Sequence, residues 1–284
     1  MSEPVKVLDH GFVRLVQVGG NDQMICDSAR LSYANASRPM ISDDAKLIDY
    51  LLEHSHTSPF EQVVFWFHCK MPIFVARQWV RHRTARLNEF SGRYSEMRDE
   101  FYVPELDQLK IQSKTNKQGR DIESVDSPKD CRMLMLQHNA GAFARYHRLL
   151  DDGMAKELAR TVLPLSTYTE WYWQMDLHNL FHFLKLRLDS HAQYEIRVYA
   201  EAIAEMVKKE VPLAWESFER HSLNAVKFSA DEMNVLRELL HHLSMMDVQH
   251  VIRVGDEMSD NPRFKASNNR KVKAFFNKLG LDTP

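Results

Sequence analysis

Residues 61–83, EQVVFWFHCKMPIFVARQWVRHR, decide the fold. Up to Lys70 the stretch is rich in β-branched and aromatic side chains, the composition of a strand packed within a sheet. Pro72 follows, and its fixed φ and missing N–H suit the first position of a helix. The run IFVARQWVRHR predicts that helix over 73–83, and the polar residues 84–93 read as a loop. On such a helix Gln78 shares a face with Arg81 and His82.

Outward from this unit, helix and strand patterns mix along the chain. Residues 5–18 read as a short β-meander, with Val13, Leu15 and Val18 near its end. A helical stretch through Arg30 follows Gly19-Gly20-Asn21-Asp22, and Ser42-Asp43-Asp44 reads as the N-cap of a helix through Leu52. Helices are expected over 131–150 and 153–162, a strand over 166–173 (STYTEWYW) and a helix over 177–186. Within 191–209, Ala192, Ile196, Tyr199, Ile203 and Met206 form an apolar stripe at helical spacing. Residues 112–130 hold almost no large apolar side chain and read as a long surface loop. A further helix is expected over 231–245, followed by a basic tail with a short helical pattern (RFKASNNRKVKAFFNKLG). The class is α+β.

At about 150 residues per domain, 284 residues allow two domains or one large one. Thirty-seven basic against 39 acidic residues leave a formal charge of −2, so no global field points to a nucleic acid or a membrane surface. Only nine glycines occur, with no G-x-G-x-x-G and no G-x-x-x-x-G-K-[ST], which argues against Rossmann and P-loop nucleotide sites. Cys26, Cys69 and Cys131 are odd in number and scattered, fitting free thiols in a reducing compartment. The first residues, MSEPVKVLDHGF, lack the basic and apolar regions of a secretory leader, and no apolar run is long enough to span a bilayer. A soluble, cytoplasmic protein is expected.

The densest chemistry lies in residues 78–94, QWVRHRTARLNEFSGRY. Fixed cations, a glycine that lets backbone approach, and a serine hydroxyl are what a phosphate requires. A solvated basic surface has the same residue types. Against it, the apolar start Ile73-Phe74-Val75 and the preceding strand imply a buried setting, where unpaired arginines are costly. A second constellation is Arg187-Leu188-Asp189-Ser190-His191, whose spacing also suits an intrahelical ion-pair set. His54-Ser55-His56 with Glu61 has metal-ligand types but no third ligand at a recognisable spacing. His178 and His182 lack the glutamate of H-E-x-x-H. No metal is expected.

Arg81-His82-Arg83 followed by Ser91 is the pattern R-H-R-x(7)-S, and here the chain resembles the flavin-dependent thymidylate synthases. The likeness extends to residues 8–34, to HSHTSPFEQVVFWFHCKMPIFVARQW (54–79), FYVPELDQL (101–109), LARTVLPLSTYTEWYW (158–173) and LRLDSHAQYEIRVYA (186–200). It covers roughly residues 5–220. The resemblance implies a homotetrameric α+β enzyme that binds FAD, with active sites shared between subunits. NADPH reduces the flavin, methylenetetrahydrofolate supplies the carbon, dUMP becomes dTMP and tetrahydrofolate leaves. It implies a catalytic domain over 1–221, with 222–284 a C-terminal helical extension outside the likeness.

Residue by residue, the resemblance implies that Gln78, Arg81, Glu89, Ser91, Gly92 and Arg93 hold dUMP, with Ser91, Gly92 and Arg93 on its phosphate. Arg160 is expected from a neighbouring subunit, and Arg187 activates the uracil. Ser58, Glu61, Arg81, His82, Arg83, Asn88, Glu89 and His191 match flavin positions, with Ser32 and Tyr94 as further candidates. At 176–178 the chain has Asp176-Leu177-His178 where some members carry Asn-x-Arg, and His182 stands where they carry Asn. Asp176, His178 and His182 are thus expected at the far half of FAD, where Asp176 would repel a pyrophosphate unless it meets a ribose hydroxyl. The unrelated class of thymidylate synthases attacks uracil with a thiolate. None of the three cysteines neighbours the anion-binding residues, so catalysis without a protein nucleophile is expected.

Two other readings remain. A flavin- and folate-dependent nucleotide hydroxymethylase would use the same residues. A nucleic-acid-binding protein would use Arg77, Arg81, Arg83, Arg86 and Arg93 with the tail's Arg263, Lys265, Arg270, Lys271 and Lys273. Balanced charge argues against the latter, as does the placing of Phe275 and Phe276 after the basic run instead of within it.

Overall fold

The computed structural model describes residues 3–32, 43–114 and 117–241. Ser42 and the basic tail from Arg263, with the part of the 231–245 helix beyond 241, lie outside them. Two compact units divide the chain, Met1–Asn224 and Ala225–Pro284.

The first unit is built on a five-stranded antiparallel sheet of β1 (Val5–Val7), β2 (Gly11–Gly19), β3 (Val64–Pro72), β4 (Arg86–Glu89) and, later in the chain, β7 (Tyr168–Asp176). Their order is β1-β2-β3-β7-β4, so the decisive strand is central and paired on both edges. Its register sets Phe67 opposite Trp173 and Cys69 opposite Trp171. A period of two then sends Phe65, Phe67, Cys69 and Met71 to one face, all fully buried. Trp66 and His68 point the other way and are half-buried. On that second face His68 Nε2 meets Glu170 Oε1 at 2.6 Å, and Arg14 Nη2 approaches His68 Nδ1 at 2.7 Å.

Helices cover the first face. α1 (Asp22–Leu31) and α2 (Asp44–Glu53) are capped by Asn21 and Asp43, and the one-turn α3 (Ser58–Glu61) leads into β3. α4 (Ile73–Trp79) follows Pro72, which ends the strand and caps the helix instead of opening it. Trp79 is wholly buried, with ring centroids 5.6 Å from Trp171, 5.3 Å from Trp173 and 5.1 Å from Phe183. Burying a ring of this size is worth about 3 kcal/mol, which anchors α4 at the end that carries the chemistry.

Between the sheet strands lie a two-stranded hairpin, β5 (Lys110–Gln112) and β6 (Arg120–Ser124), the long α5 (Pro128–Asp151) and the short α6 (Lys156–Ala159). A small second core of Met97, Phe143, Tyr146 and Ala159 ties residues 90–101 to α5, with Met97 N–H donating to Tyr146 Oη at 3.0 Å. After β7 come α7 (Leu177–Arg187), α8 (Tyr194–Glu210), α9 (Pro212–Phe218) and a π-turn (Glu219–Leu223). The second unit contributes α10 (Ala230–His241). Among the described residues no helix is long and apolar enough to cross a membrane.

Three expectations need correction. The helix expected over 73–83 stops at Trp79, because the Gln78 carbonyl accepts from Arg187 Nη2 at 3.3 Å and the His82 N–H turns to Trp79 O. Gln78, Arg81 and His82 therefore do not share a helical face. Neither 84–93 nor 112–130 is wholly loop: the first contains β4, and the second contains β6 and ends in α5. Both strands are polar segments ordered by pairing, which supplies no apolar signal. Finally, Arg187 ends α7 while α8 begins only at Tyr194, so Arg187 and His191 lie on a helix end and a linker, not on one helix.

Candidate active site

An open cleft of about 610 Å³ is lined by Arg81, His82, Arg83, Thr84, Asn179, His182, Leu186 and Arg187. The turn after α4 supplies the first four residues and α7 the rest. Arg187 Nε donates to His82 Nε2 at 3.2 Å and its Nη2 to the Gln78 carbonyl at 3.3 Å. The pair fixes the tautomer: His82 Nε2 must accept, so its proton sits on Nδ1. Burial, the Arg187 charge and His182 together push the His82 pKa down to about 4. Its ring lies 4.9 Å from Phe183 and 5.8 Å from His182. Burial lowers the Arg187 pKa as well, yet a guanidinium keeps its charge. No carboxylate pairs with Arg187 among the described residues, and its Nη1 has no protein partner there.

A second group stands at the turn after β4. Phe90 N–H donates to Glu170 O, and Ser91 O then accepts from Tyr94 N and Ser95 N, which folds the chain into a tight turn. Gly92 is buried, and a Cβ there would lie 2.8 Å from Met97 Sδ and 3.2 Å from Arg160 Cδ. Arg160 thus lies against Gly92 of its own chain. Arg93 N–H donates weakly to Ser91 Oγ at 3.4 Å, and its exposed Nε rests on Glu157 at 3.2 Å. On β4, Asn88 is paired opposite Tyr172, and Glu89 accepts from Thr169 Oγ1 at 2.6 Å. Among the described residues no hydrogen bond or ion pair joins the cleft group to this Ser91-Gly92-Arg93-Arg160 group.

Other expected residues scatter. Ser58 and Glu61 are exposed on α3, which packs beside α7. Asp176 caps α7, one oxygen accepting Asn179 N–H at 3.0 Å and the other Asn179 Nδ2 at 2.8 Å. Both of its oxygens therefore have protein donors. His178 is half-buried on the first turn of α7, and His191 is exposed in the linker. His191 donates its backbone N–H to Asp189 Oδ1 at 2.8 Å, and this bond, with the imidazole contact, lowers the Asp189 pKa. Ser32 caps α1 and Tyr94 is exposed.

The cysteines stay apart from both groups. Burial pushes the Cys26 thiol up to about 12 and raises that of Cys69 as well. Cys131 lies in the first turn of α5, and all three are free thiols. Among the described residues one set of metal-ligand types gathers, Asp49, Glu53 and His221. Asp49 Oδ1 already accepts Arg220 at 2.6 Å and meets His221 Nε2 at 2.8 Å.

Reading by spacing missed Thr84, Asn179 and Leu186 in the cleft wall. Only Asn179 had a signal, as the third residue after the cap Asp176. It also missed Gln193, whose Oε1 accepts the Gln78 side-chain amide, and Thr169 on Glu89.

Residues 14–213 match the family model described as thymidylate synthase complementing protein. A flavin-dependent thymidylate synthase of Treponema denticola is 57% identical over 242 residues, covering 84% of this chain and 91% of the relative. One from Thermus thermophilus is 54% identical over 236 residues, covering 83% and 86%. Among solved structures, a UMP/dUMP methylase, PolB from Streptomyces cacaoi bound with 5-Br dUMP, superposes with a TM-score of 0.66 at 34% identity. That superposition covers 76% of this chain and 97% of the methylase.

Proposed function

The chain belongs to the family of flavin-dependent thymidylate synthases, and from that premise we propose how its residues divide the work of converting dUMP to dTMP. The carbon comes from methylenetetrahydrofolate, NADPH is the reductant, and tetrahydrofolate is released. One observation carries the assignment of roles: Arg187 is a half-buried cation at the cleft wall with no acidic partner among the described residues. Such a cation calls for an electron-rich ligand group.

Uracil C5 is a weak nucleophile, and charge stabilised on N3 and O4 makes the ring enamine-like. Arg187 offers a planar guanidinium for that purpose, held in place by His82 and the Gln78 carbonyl. Preorganised donors of this kind contribute about 3 kcal/mol each in a dry site. His82, kept neutral, accepts from Arg187 without competing for anions. The Ser91-Gly92-Arg93 turn with Arg160 supplies backbone, hydroxyl and cations for the nucleotide phosphate, and Arg93 leaves Glu157 to bind it.

The cleft is wide enough for a cofactor and carries cations that suit a pyrophosphate, so its donor set fits FAD. Arg81, His82, Arg83 and His182 would hold it, joined by Ser58, Glu61, Asn88, Glu89, His178 and His191. When bound, FAD supplies the hydride. Asp176 is held as the cap of α7, with both oxygens accepting from Asn179. The active sites of the homotetramer would draw on two chains, in keeping with the absence, among the described residues, of a hydrogen bond or ion pair between the cleft and the phosphate turn. In that assembly Gly92 and Arg160 come from one subunit together, and Arg187 from the other. We read residues 1–221 as the catalytic domain, 222–284 as an extension, and the cytoplasm as the compartment, in keeping with three free thiols.

The test is direct. Purified protein should show the visible bands of oxidised flavin and form dTMP from dUMP only with methylenetetrahydrofolate and NADPH present. Colourless protein, or a hydroxymethyl product, would overturn the assignment.

A further inference from the structure

Glu195, in the first turn of α8, is a buried carboxylate with three donors and no contact with the cleft. Its Oε1 accepts Tyr102 O–H at 3.1 Å, and its Oε2 accepts Arg120 Nη2 at 2.5 Å and Gln193 Nε2 at 2.9 Å. Arg120 is itself fixed: Nη1 donates to Gln108 O at 3.0 Å, and the guanidinium lies 5.6 Å from the Tyr194 ring centroid. The hairpin that carries Arg120 therefore anchors Glu195. Burial and the Glu195 charge raise the Tyr102 pKa well above its usual value, so its hydroxyl stays a donor.

A carboxylate paired to an arginine can only accept. Gln193 must therefore turn its NH₂ toward Glu195 and its carbonyl oxygen away. That oxygen receives the Gln78 carboxamide, so Gln78 must offer its own NH₂. Each step removes one of two amide orientations. What remains is the Gln78 Oε1, which has no protein partner among the described residues, on the residue whose backbone carbonyl accepts from Arg187 Nη2.

We propose that Glu195, acting through Gln193, is the positioning residue that fixes the Gln78 carboxamide with its oxygen as the group offered to ligand, so that the site selects a nucleotide group that donates a hydrogen bond. This rests on the reading above in which Gln78 touches dUMP. That nucleotide has two such donors, the imide N3–H and the sugar 3′-hydroxyl. A ligand with a lone pair in the same place meets a lone pair and is rejected.

The experiment measures the affinity of the flavin-loaded enzyme for dUMP, for its 3-deaza analogue and for 2′,3′-dideoxyuridine monophosphate. The proteins are the natural enzyme, Glu195→Gln and Gln193→Ala. In the natural enzyme the analogue lacking the donor read by Gln78 should bind about tenfold more weakly than dUMP, and which analogue loses affinity identifies the donor. Both substitutions free the amide chain to invert and should shrink that ratio to about twofold, leaving the other analogue's ratio unchanged. Should Glu195→Gln fail to fold, Gln193→Ala carries the test, because Gln193 is exposed and its loss leaves Glu195 with Tyr102 and Arg120. A merely structural role would weaken all three nucleotides equally, and that outcome overturns the proposal. So does full discrimination in both variants, or none in the natural enzyme. A natural enzyme that binds no dUMP overturns the functional reading itself, which separates the two failures.

Discussion

Replacing Arg187 by glutamine tests the centre of the site, because one guanidinium is asked to do two things. It adds to the burial that lowers the His82 pKa, and in the proposed reaction it carries the positive charge that activates uracil. The first effect has a magnitude. Arg187 Nε stands 3.2 Å from His82 Nε2, and the delocalised charge is taken at about 4 Å, the separation of a close ion pair. Coulomb's law at an effective dielectric of about 20 to 40 gives about 2–4 kcal/mol, and partial exposure of the pair reduces this to about 1–2. That is about tenfold in proton affinity. The His82 pKa, now about 4, should rise by about one pH unit in Arg187→Gln. It should not return to 6.5, because burial is the larger cause and His182 remains. Histidine-labelled protein followed by NMR across pH 3–8 reads this, with His82→Gln identifying the resonance. Turnover supplies the second readout: loss of a preorganised donor should lower dTMP formation by about 100-fold or more, with flavin still bound. An unmoved His82 titration would refute the electrostatic argument. Turnover within about threefold of normal would refute the catalytic one.

Folded His82 titrates at about 4 against the ordinary histidine value of 6.5, so between these values the unfolded chain binds the extra proton. Stability should therefore fall as pH drops from 6.5 toward 4, by about 1–2 kcal/mol after solvent screening, and His82→Gln should flatten that part of the urea-midpoint curve. Gly92→Ala would set a Cβ 2.8 Å from Met97 Sδ and 3.2 Å from Arg160 Cδ. Both are flexible side-chain atoms, so the protein should fold with a loss of about 1 kcal/mol while the KM for dUMP rises. Asp176→Ala removes the cap of α7 and should cost about 1 kcal/mol in denaturant unfolding, whereas Asp176→Asn should keep its flavin content. A variant with alanine at Cys26, Cys69 and Cys131 should still form dTMP, since the two buried thiols are held far from ionisation.

The fold was legible where a segment's own composition matched its surroundings. β3 is aromatic and β-branched because it is buried by helices on one face, and α1, α2 and α7 carry their caps in sequence as Asn21, Asp43 and Asp176. Segments whose order comes from distant partners were not legible. β4, Arg86-Leu87-Asn88-Glu89, has all four side chains exposed, and only pairing with β7 makes it a strand. The end of α4 depends on Arg187, more than 100 positions away, taking the carbonyl that a continued helix would use. Residue types near the site could be read for chemistry, but not the faces they occupy.

Glu195 shows why that limit is physical. An acidic residue in the first turn of a helix is, by position alone, a solvated side chain favoured by the helix dipole. Its burial requires donors, and these come from Tyr102, Arg120 and Gln193, on a loop, a hairpin and a linker. No periodicity within α8 reports them. Yet the orientation of Gln78 depends on that carboxylate, because an amide has two nearly isosteric orientations and only a chain of fixed acceptors and donors separates them. The residues proposed to meet the ligand, such as the arginines and the Ser-Gly-Arg turn, announce themselves by type and spacing. Residues that decide how those groups point are chosen by the unpaired lone pairs and protons the fold brings together, so Arg120, in a segment that reads as featureless polar loop, is tied to the orientation of the Gln78 amide through two intervening side chains.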